Sequence, residues 1–316
     1  MRLRSATPGQ IIRPMAKVFF SHDEILERPN KRFPDEKDPF RVHYHFRPAR
    51  PADLCVTLDP DTGEVNISAG TMGPLTWNPY TFCLHISIHG SPHTYRNLVV
   101  GGDCVVGLPG RDIVKETWFT ALPLPRGISE AEVAGLHTFA SKFVPTPGIV
   151  ECPVNFECKV EFKKDYHTHG IFFLRVVGAS IDEKVLSLDR EAVISWYPTY
   201  EVDDAPNKFG GSIERLGIMG GILPCPTFPL APKAGWYQSF ERWMRDLAEE
   251  KYLDAGEAGI LVGWQKEFDG LFGAKDSPRR GELKELITRA CRLIVTEDWE
   301  GLHFFLGTTN PKPENL

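Results

Sequence analysis

The stretch from Asn78 to Leu98, NPYTFCLHISIHGSPHTYRNL, holds the densest run of groups able to do chemistry. An alternating strand leads into the turn Gly90-Ser91-Pro92, and His93, Thr94, Arg96 and Asn97 then open a short helix. A hydroxyl and a guanidinium beside the free N–H groups of a helix start form a donor set that suits a phosphate. The plainer alternative is a helix capped by Ser91 or Thr94, with Arg96 as a solvated surface charge. Three histidine pairs, His43 with His45, His85 with His89 and His167 with His169, each place imidazoles on one face of a strand, as a zinc or iron site requires. No Cys-x-x-Cys or His-Glu-x-x-His accompanies them, so no metal is expected.

The elements that must position these groups are short strands. Cys55 to Leu58 and Val65 to Ala69 flank Asp59-Pro60-Asp61-Thr62-Gly63, which reads as a hairpin. Phe82, Leu84, Ile86 and Ile88 alternate with polar neighbours, as do Val154, Phe156, Cys158, Val160 and Phe162; Asp103 to Leu108 and Ile171 to Val177 are further strands. Many short strands separated by turns point to a barrel or a sandwich. Cys152 and Cys158 read as buried thiols on one edge of an apolar face. After Pro232 the period changes: Phe240, Trp243, Met244 and Leu247 follow Ser239 as N-cap, and Leu283, Leu286, Ile287, Ala290 and Ile294 follow Gly281 at helical spacing. Residues 1–53, crowded with charge and X-Pro pairs, read as an extended arm docked on a barrel or on a partner subunit; 54–232 form the barrel domain and 233–316 a helical extension.

The 316 residues carry 36 Lys+Arg against 42 Asp+Glu, a net charge of −6 that argues against nucleic acid or anionic membrane as a partner. Seven cysteines, an odd set in a chain of this length, read as reduced thiols. No apolar run approaches a membrane span, and the default expectation is a cytoplasmic protein. Gly210-Gly211 and Gly220-Gly221 fall in no dinucleotide fingerprint and read as turns.

Over residues 54–220 the order of features resembles the flavin reductase-like family, FMN-binding split β-barrels that are usually homodimers. The similarity rests on Asn66 leading to Trp77 and Pro79; on His93-Thr94-Tyr95-Arg96-Asn97-Leu98 with Leu108-Pro109 after it; on Gly135-Leu136, Ser141, Val144 and Glu151-Cys152-Pro153-Val154 through Glu157-Cys158; and on His169 with Phe172 and Val176-Val177. The resemblance implies a mainly β, antiparallel split β-barrel with helical additions. It implies FMN held by Thr71, Met72, Gly73 and Trp77 on the ring side, by His93, Thr94, Arg96 and Asn97 on the phosphate side, and by Ser141. Gly70 and Gly73 permit close backbone approach at the ring, and His169 is the expected proton donor or nicotinamide contact. The pattern departs from the family at Leu174-Arg175 and Met72-Gly73-Pro74. The implied activity is hydride transfer from NADH or NADPH through FMN to a flavin or another small acceptor. An FMN-loaded electron carrier and a noncatalytic ligand-binding barrel are the alternatives.

Overall fold

The computed structural model describes residues 19–21, 23, 24, 50–88, 92–187, 199–203, 212–218, 221, 222, 233, 234, 239–274 and 276–309. The chain divides after Arg47, and the part from Pro48 to Leu316 is compact in itself. Most of the expected arm, and with it His43 and His45, lies outside the described residues. The first strand begins at Arg50, inside the boundary expected for that arm.

Strands β1 (Arg50–Leu58) and β2 (Val65–Trp77) form the expected hairpin, with Leu58 opposite Val65. The Asp59 carboxylate folds its turn by accepting the amides of Asp61 and Thr62, and Gly63 takes the left-handed conformation, φ 74°, that a side chain would disfavour. β2 then changes partner. Residues 65–71 pair with β1, whereas Met72 to Trp77 pair with β3 (Tyr80–Ser87). The strand order continues through β8 (His169–Ile181), β7 (Val154–Tyr166) and β4 (Asp103–Leu108), and β4 pairs back on β1. Six antiparallel strands thereby close into a barrel, split on the side where β2 leaves β1 for β3. Two short strands, β5 (Thr138–Phe139) and β6 (Gly148–Ile149), pair separately. β9 (Thr199–Asp203) extends the sheet from β1, and β10 (Ser212–Ile218) pairs with β9, β11 (Gly221–Ile222) and β12 (Lys233–Ala234).

Period-two alternation sorts the side chains. Cys55, Phe82, Leu84, Ile86, Cys104, Val106, Cys158, Val160, Phe172 and Leu174 fill the barrel interior. On the outer face Leu54, Val56, Ile67 and Val105 pack beneath Ala131, Leu136 and Val144. Each fully buried side chain of this kind contributes about 1.5–3 kcal/mol relative to exposure. Cys158 belongs to the interior, whereas Cys152 precedes β7, escapes the strand alternation, and packs in the outer cluster. The single apolar edge expected for this pair is therefore two separate environments. The six described cysteines are free thiols, and burial raises the pKa of Cys152.

Short helices cap the barrel: α1 (Pro92–Asn97), α2 (Val114–Phe119), α3 (Glu130–Ala134) and α4 (Glu183–Leu186). The C-terminal helices are α5 (Phe240–Glu249), α6 (Ala255–Gly270), α7 (Pro278–Val295) and α8 (Trp299–Thr309). Ser239 caps α5 as expected, and Asp254 with Glu257 forms a capping box on α6. α7 starts at Pro278 rather than behind Gly281, because a proline at the first helical position gives up no hydrogen bond there. These helices share one apolar core with Phe119, Leu122, Leu124, Ile128 and Val133, so the extension is packed onto α2, α3 and the connection between them.

Candidate active site

Helix α1 closes one end of the barrel through a polar network. Asn66 Nδ2 donates to Thr94 Oγ1 at 2.9 Å and to Thr57 Oγ1 at 3.4 Å, and Asn97 Nδ2 donates to Thr57 Oγ1 at 3.2 Å. Thr94 and Asn97 are both buried. The Thr94 hydroxyl accepts from Asn66 and so retains its own proton for donation. Arg96 turns the other way: its Nη2 donates to Asp59 Oδ2 at 2.8 Å.

Asp59 is the hub of the charges at this end. Arg126 donates Nε and Nη2 to its two oxygens at 2.7 and 2.8 Å, reaches Asp61 as well, and stacks its guanidinium 3.8 Å from the centroid of the Phe272 ring. Burial alone would raise the Asp59 carboxyl, but Arg126 and the Asp61 and Thr62 amides outweigh it and hold the pKa at about 2. His93, between the two arginines, is pushed down to about 4, first by burial and then by Arg96 and Arg126. The imidazole is neutral at pH 7 and sits in a net positive field.

Beside His93 lies a cavity of about 380 Å³. The barrel contributes Asn66, Ser68, His93 and Thr94; the 120–126 connection and α3 contribute Arg126 and Glu130; and the C-terminal helices contribute Phe240, Gln265 and Asp269. The cavity follows the split. Across residues 65–71, β2 pairs with β1 alone among the described strands, and the Ile67 amide on its other edge donates to Glu130 Oε2 at 3.0 Å. Glu130 is aimed there by its position at the head of α3, whose cap Ser129 accepts the Glu132 amide and whose end is Gly135 at φ 76°. Burial pushes the Glu130 carboxyl up to about 8, against the lowering effect of the Ile67 amide.

Of the residues expected from sequence, His93 and Thr94 line the cavity, while Arg96 and Asn97 stand behind them in the Asp59 and Thr57 networks. Thr71 is the last β2 residue paired with β1, opposite Ala52; Met72, Gly73 and Trp77 lie opposite Leu84, Cys83 and Tyr80 on β3. A Cβ added at Gly73 would meet nothing within 4 Å among the described residues. His169 starts β8 opposite Ser87, and its Nδ1 lies 3.0 Å from Thr168 Oγ1. Ser141 is not among the cavity's lining residues; its loop is held by Glu157, which accepts the amides of Lys142, Phe143 and Val144, and its buried hydroxyl has no hydrogen-bond partner among the described residues. Glu130, Arg126, Gln265 and Asp269 were missed. The Ser129–Glu132 cap was the one local signal near them, and nothing in the spacing marks Glu130 as buried. Among the described residues no three His, Cys, Asp or Glu side chains converge as a metal site.

The Thr94 hydroxyl, His93 and the Arg126 guanidinium gather at this one cavity, a set that suits an anionic group. Residues 47–193 match the flavin reductase like domain family. The chain carries a flavin reductase-like domain. That domain spans the barrel, α1, the Asp59 hub and Glu130. An uncharacterized protein of Bacillus subtilis, YwrF, is 34% identical over 130 residues, 39% of this chain and 62% of the relative, so the match covers less than two thirds of that relative's length. The solved nitrilotriacetate monooxygenase component B of Bacillus cereus aligns over 58% of this chain and 92% of its own at 20% identity, with a TM-score of 0.46. Flavoredoxin of Desulfovibrio vulgaris (Miyazaki F) aligns over 58% and 93% at 19% identity, with a TM-score of 0.44. Gln265 and Asp269 lie outside the matched residues.

Proposed function

We propose that this protein is an FMN-dependent oxidoreductase that transfers hydride from NADH or NADPH to a flavin or another small acceptor, and that it works as a homodimer. The observation that carries the reading is the cleft along the split edge of β2, walled by Asn66, His93, Thr94 and Arg126 inside the flavin reductase-like domain. Bound flavin supplies the acceptance and donation of hydride.

The residues of this chain supply binding, orientation and dryness. Thr94 offers its hydroxyl proton, and Arg96 and Arg126, held in place by Asp59, set the field that favours an anion. Asn66 fixes Thr94, so the donor is pre-organised before any ligand arrives. The residues from Thr71 to Trp77 present the segment of β2 on which a flat ring would lie, and His169 is assigned the movement of a proton. Exposed Phe162 and Tyr166 on β7 support a second copy as partner.

The test is the visible spectrum of the desalted protein after incubation with FMN, followed by anaerobic NADH or NADPH. A retained flavin spectrum that bleaches on addition of the nucleotide is the expected result. Retention without bleaching would make the protein an electron carrier, and a colourless protein would overturn the flavin reading.

A further inference from the structure

We propose that Arg280 and Lys284 of α7, outside the residues that match the domain family, are positioning residues for the anion-binding side of the cavity: by clamping Glu64 against Gly127 they hold the Asp59–Arg126 pair in place. The inference rests on the reading that the cavity takes the phosphate end of a flavin, and it gives the helical extension a part in that site.

The first ground is the Glu64 carboxylate. Lys284 Nζ donates to its Oε1 at 2.9 Å and Arg280 Nη2 lies 3.6 Å from its Oε2, so one turn of α7 sets a cation against each oxygen. The Arg280 side chain is 7% exposed, and among the described residues its Nε and Nη2 make no hydrogen bond and Glu64 is the one carboxylate within ion-pair distance. A guanidinium so buried is costly without its counter-ion, which ties Glu64 to α7 more firmly than a surface pair would. The backbone carries this on to the hub. The Asp59 amide donates to the Glu64 carbonyl at 2.8 Å, so the residue that α7 holds is bonded to the residue that holds Arg96 and Arg126.

The second ground is Gly127, the residue after Arg126. Its φ is 96°, and a Cβ built there would stand 2.6 Å from Glu64 Oε2 and 2.8 Å from Arg280 Nη2. The ion pair therefore rests on the backbone that carries Arg126, closer than any side chain would allow. Phe272 is shared as well: its ring centroid lies 3.8 Å from the Arg126 guanidinium carbon and 5.6 Å from that of Arg280. Arg126 is bounded by Asp59, the Gly127 backbone and Phe272, and Arg280 meets the last two directly and the first through Glu64.

The experiment measures FMN and riboflavin affinities by quenching of flavin fluorescence on the full chain, with folding checked by circular dichroism, and follows the His93 ring resonances with pH. Riboflavin lacks the phosphate, so the ratio of the two affinities reads the anion side alone. Arg280→Met should weaken FMN by about fivefold or more and riboflavin by less than about twofold. Glu64→Gln should do the same, and the double variant should lose no more than either alone, because both cut one path. Arg279→Met removes the same charge one residue away, from an exposed arginine paired with Glu267 and Glu282, and should leave both affinities within about twofold. His93 should titrate at higher pH in Arg280→Met than in the wild type, because Arg126 is one of the charges that hold its imidazole down. Should Arg280→Met not fold, Lys284→Met, at a less buried position, carries the same test with a loss of about threefold in FMN. A folded Arg280→Met protein with the affinity ratio and the His93 titration of the wild type, or an equal loss in Arg279→Met, would overturn the proposal while leaving the flavin reading in place. A wild type that binds no flavin would remove that reading, and the His93 titration would then decide by itself whether α7 positions Arg126.

Discussion

Glu130 Oε2 stands 3.0 Å from the amide nitrogen of Ile67, so a side-chain carboxyl occupies an edge position of β2 where a neighbouring strand would otherwise donate or accept. The same carboxyl faces the cavity, which makes it both a structural acceptor and the most perturbed acid of the site.

That double position has a measurable consequence. The folded pKa of about 8 lies above the unfolded value near 4.5, so the folded protein holds an extra proton between those limits and loses stability as pH rises from about 5 to 8. Glu130→Gln keeps an acceptor for Ile67 but cannot ionise. Thermal unfolding across this range should show a falling Tm for the wild type and a flatter profile for the variant; parallel profiles would remove Glu130 as the cause.

Asp59 acts with the opposite sign. Its folded pKa of about 2 lies below the unfolded value near 3.8, so its stabilisation is present above about pH 4 and is lost as pH falls toward 2. Asp59→Asn leaves Arg96 and Arg126 without their shared anion and should cost about 2–3 kcal/mol at pH 7, less than a fully buried pair because Arg96 is partly exposed. Denaturant titration at pH 7 and pH 3 checks both parts: the loss should shrink at the lower pH.

His93 reports on anion binding. Its imidazole titrates near 4 in the free protein, and a phosphate placed beside it would favour the charged form and raise that value. Following the His93 ring resonances by NMR with pH, with and without FMN, should show the rise. An unchanged titration with FMN bound would move the phosphate away from His93.

His169 tests the assigned proton movement. His169→Ala should slow flavin reduction by about tenfold or more and leave FMN affinity within about threefold, because it stands at the start of β8 and outside the cavity that holds Thr94. Equal reduction rates in variant and wild type would sink the assignment.

Much of the frame is written locally in the chain. The Asp59–Gly63 turn and the alternation through Phe82–Ile86 and Val154–Phe162 depend on neighbours within a few residues, and so does the Ser239 cap. Turn geometry, side-chain period and capping are short-range physics, legible without the rest of the molecule. The donor segment His93–Asn97 belongs to the same class, as does the chemical character of its side chains.

Tertiary structure alone decided how those donors are used. Asn97 is turned into the Thr57 network and Arg96 onto Asp59, 37 residues earlier in the chain, while Thr94 keeps a place on the cavity. Glu130 acquires its perturbed acidity only because α3 packs on the one β2 edge that the barrel leaves open, 63 residues upstream. Gln265 and Asp269 reach the same cavity from a helix outside the matched domain. Burial, field and cavity volume are sums over groups distant in sequence, and no spacing rule along the chain carries those sums.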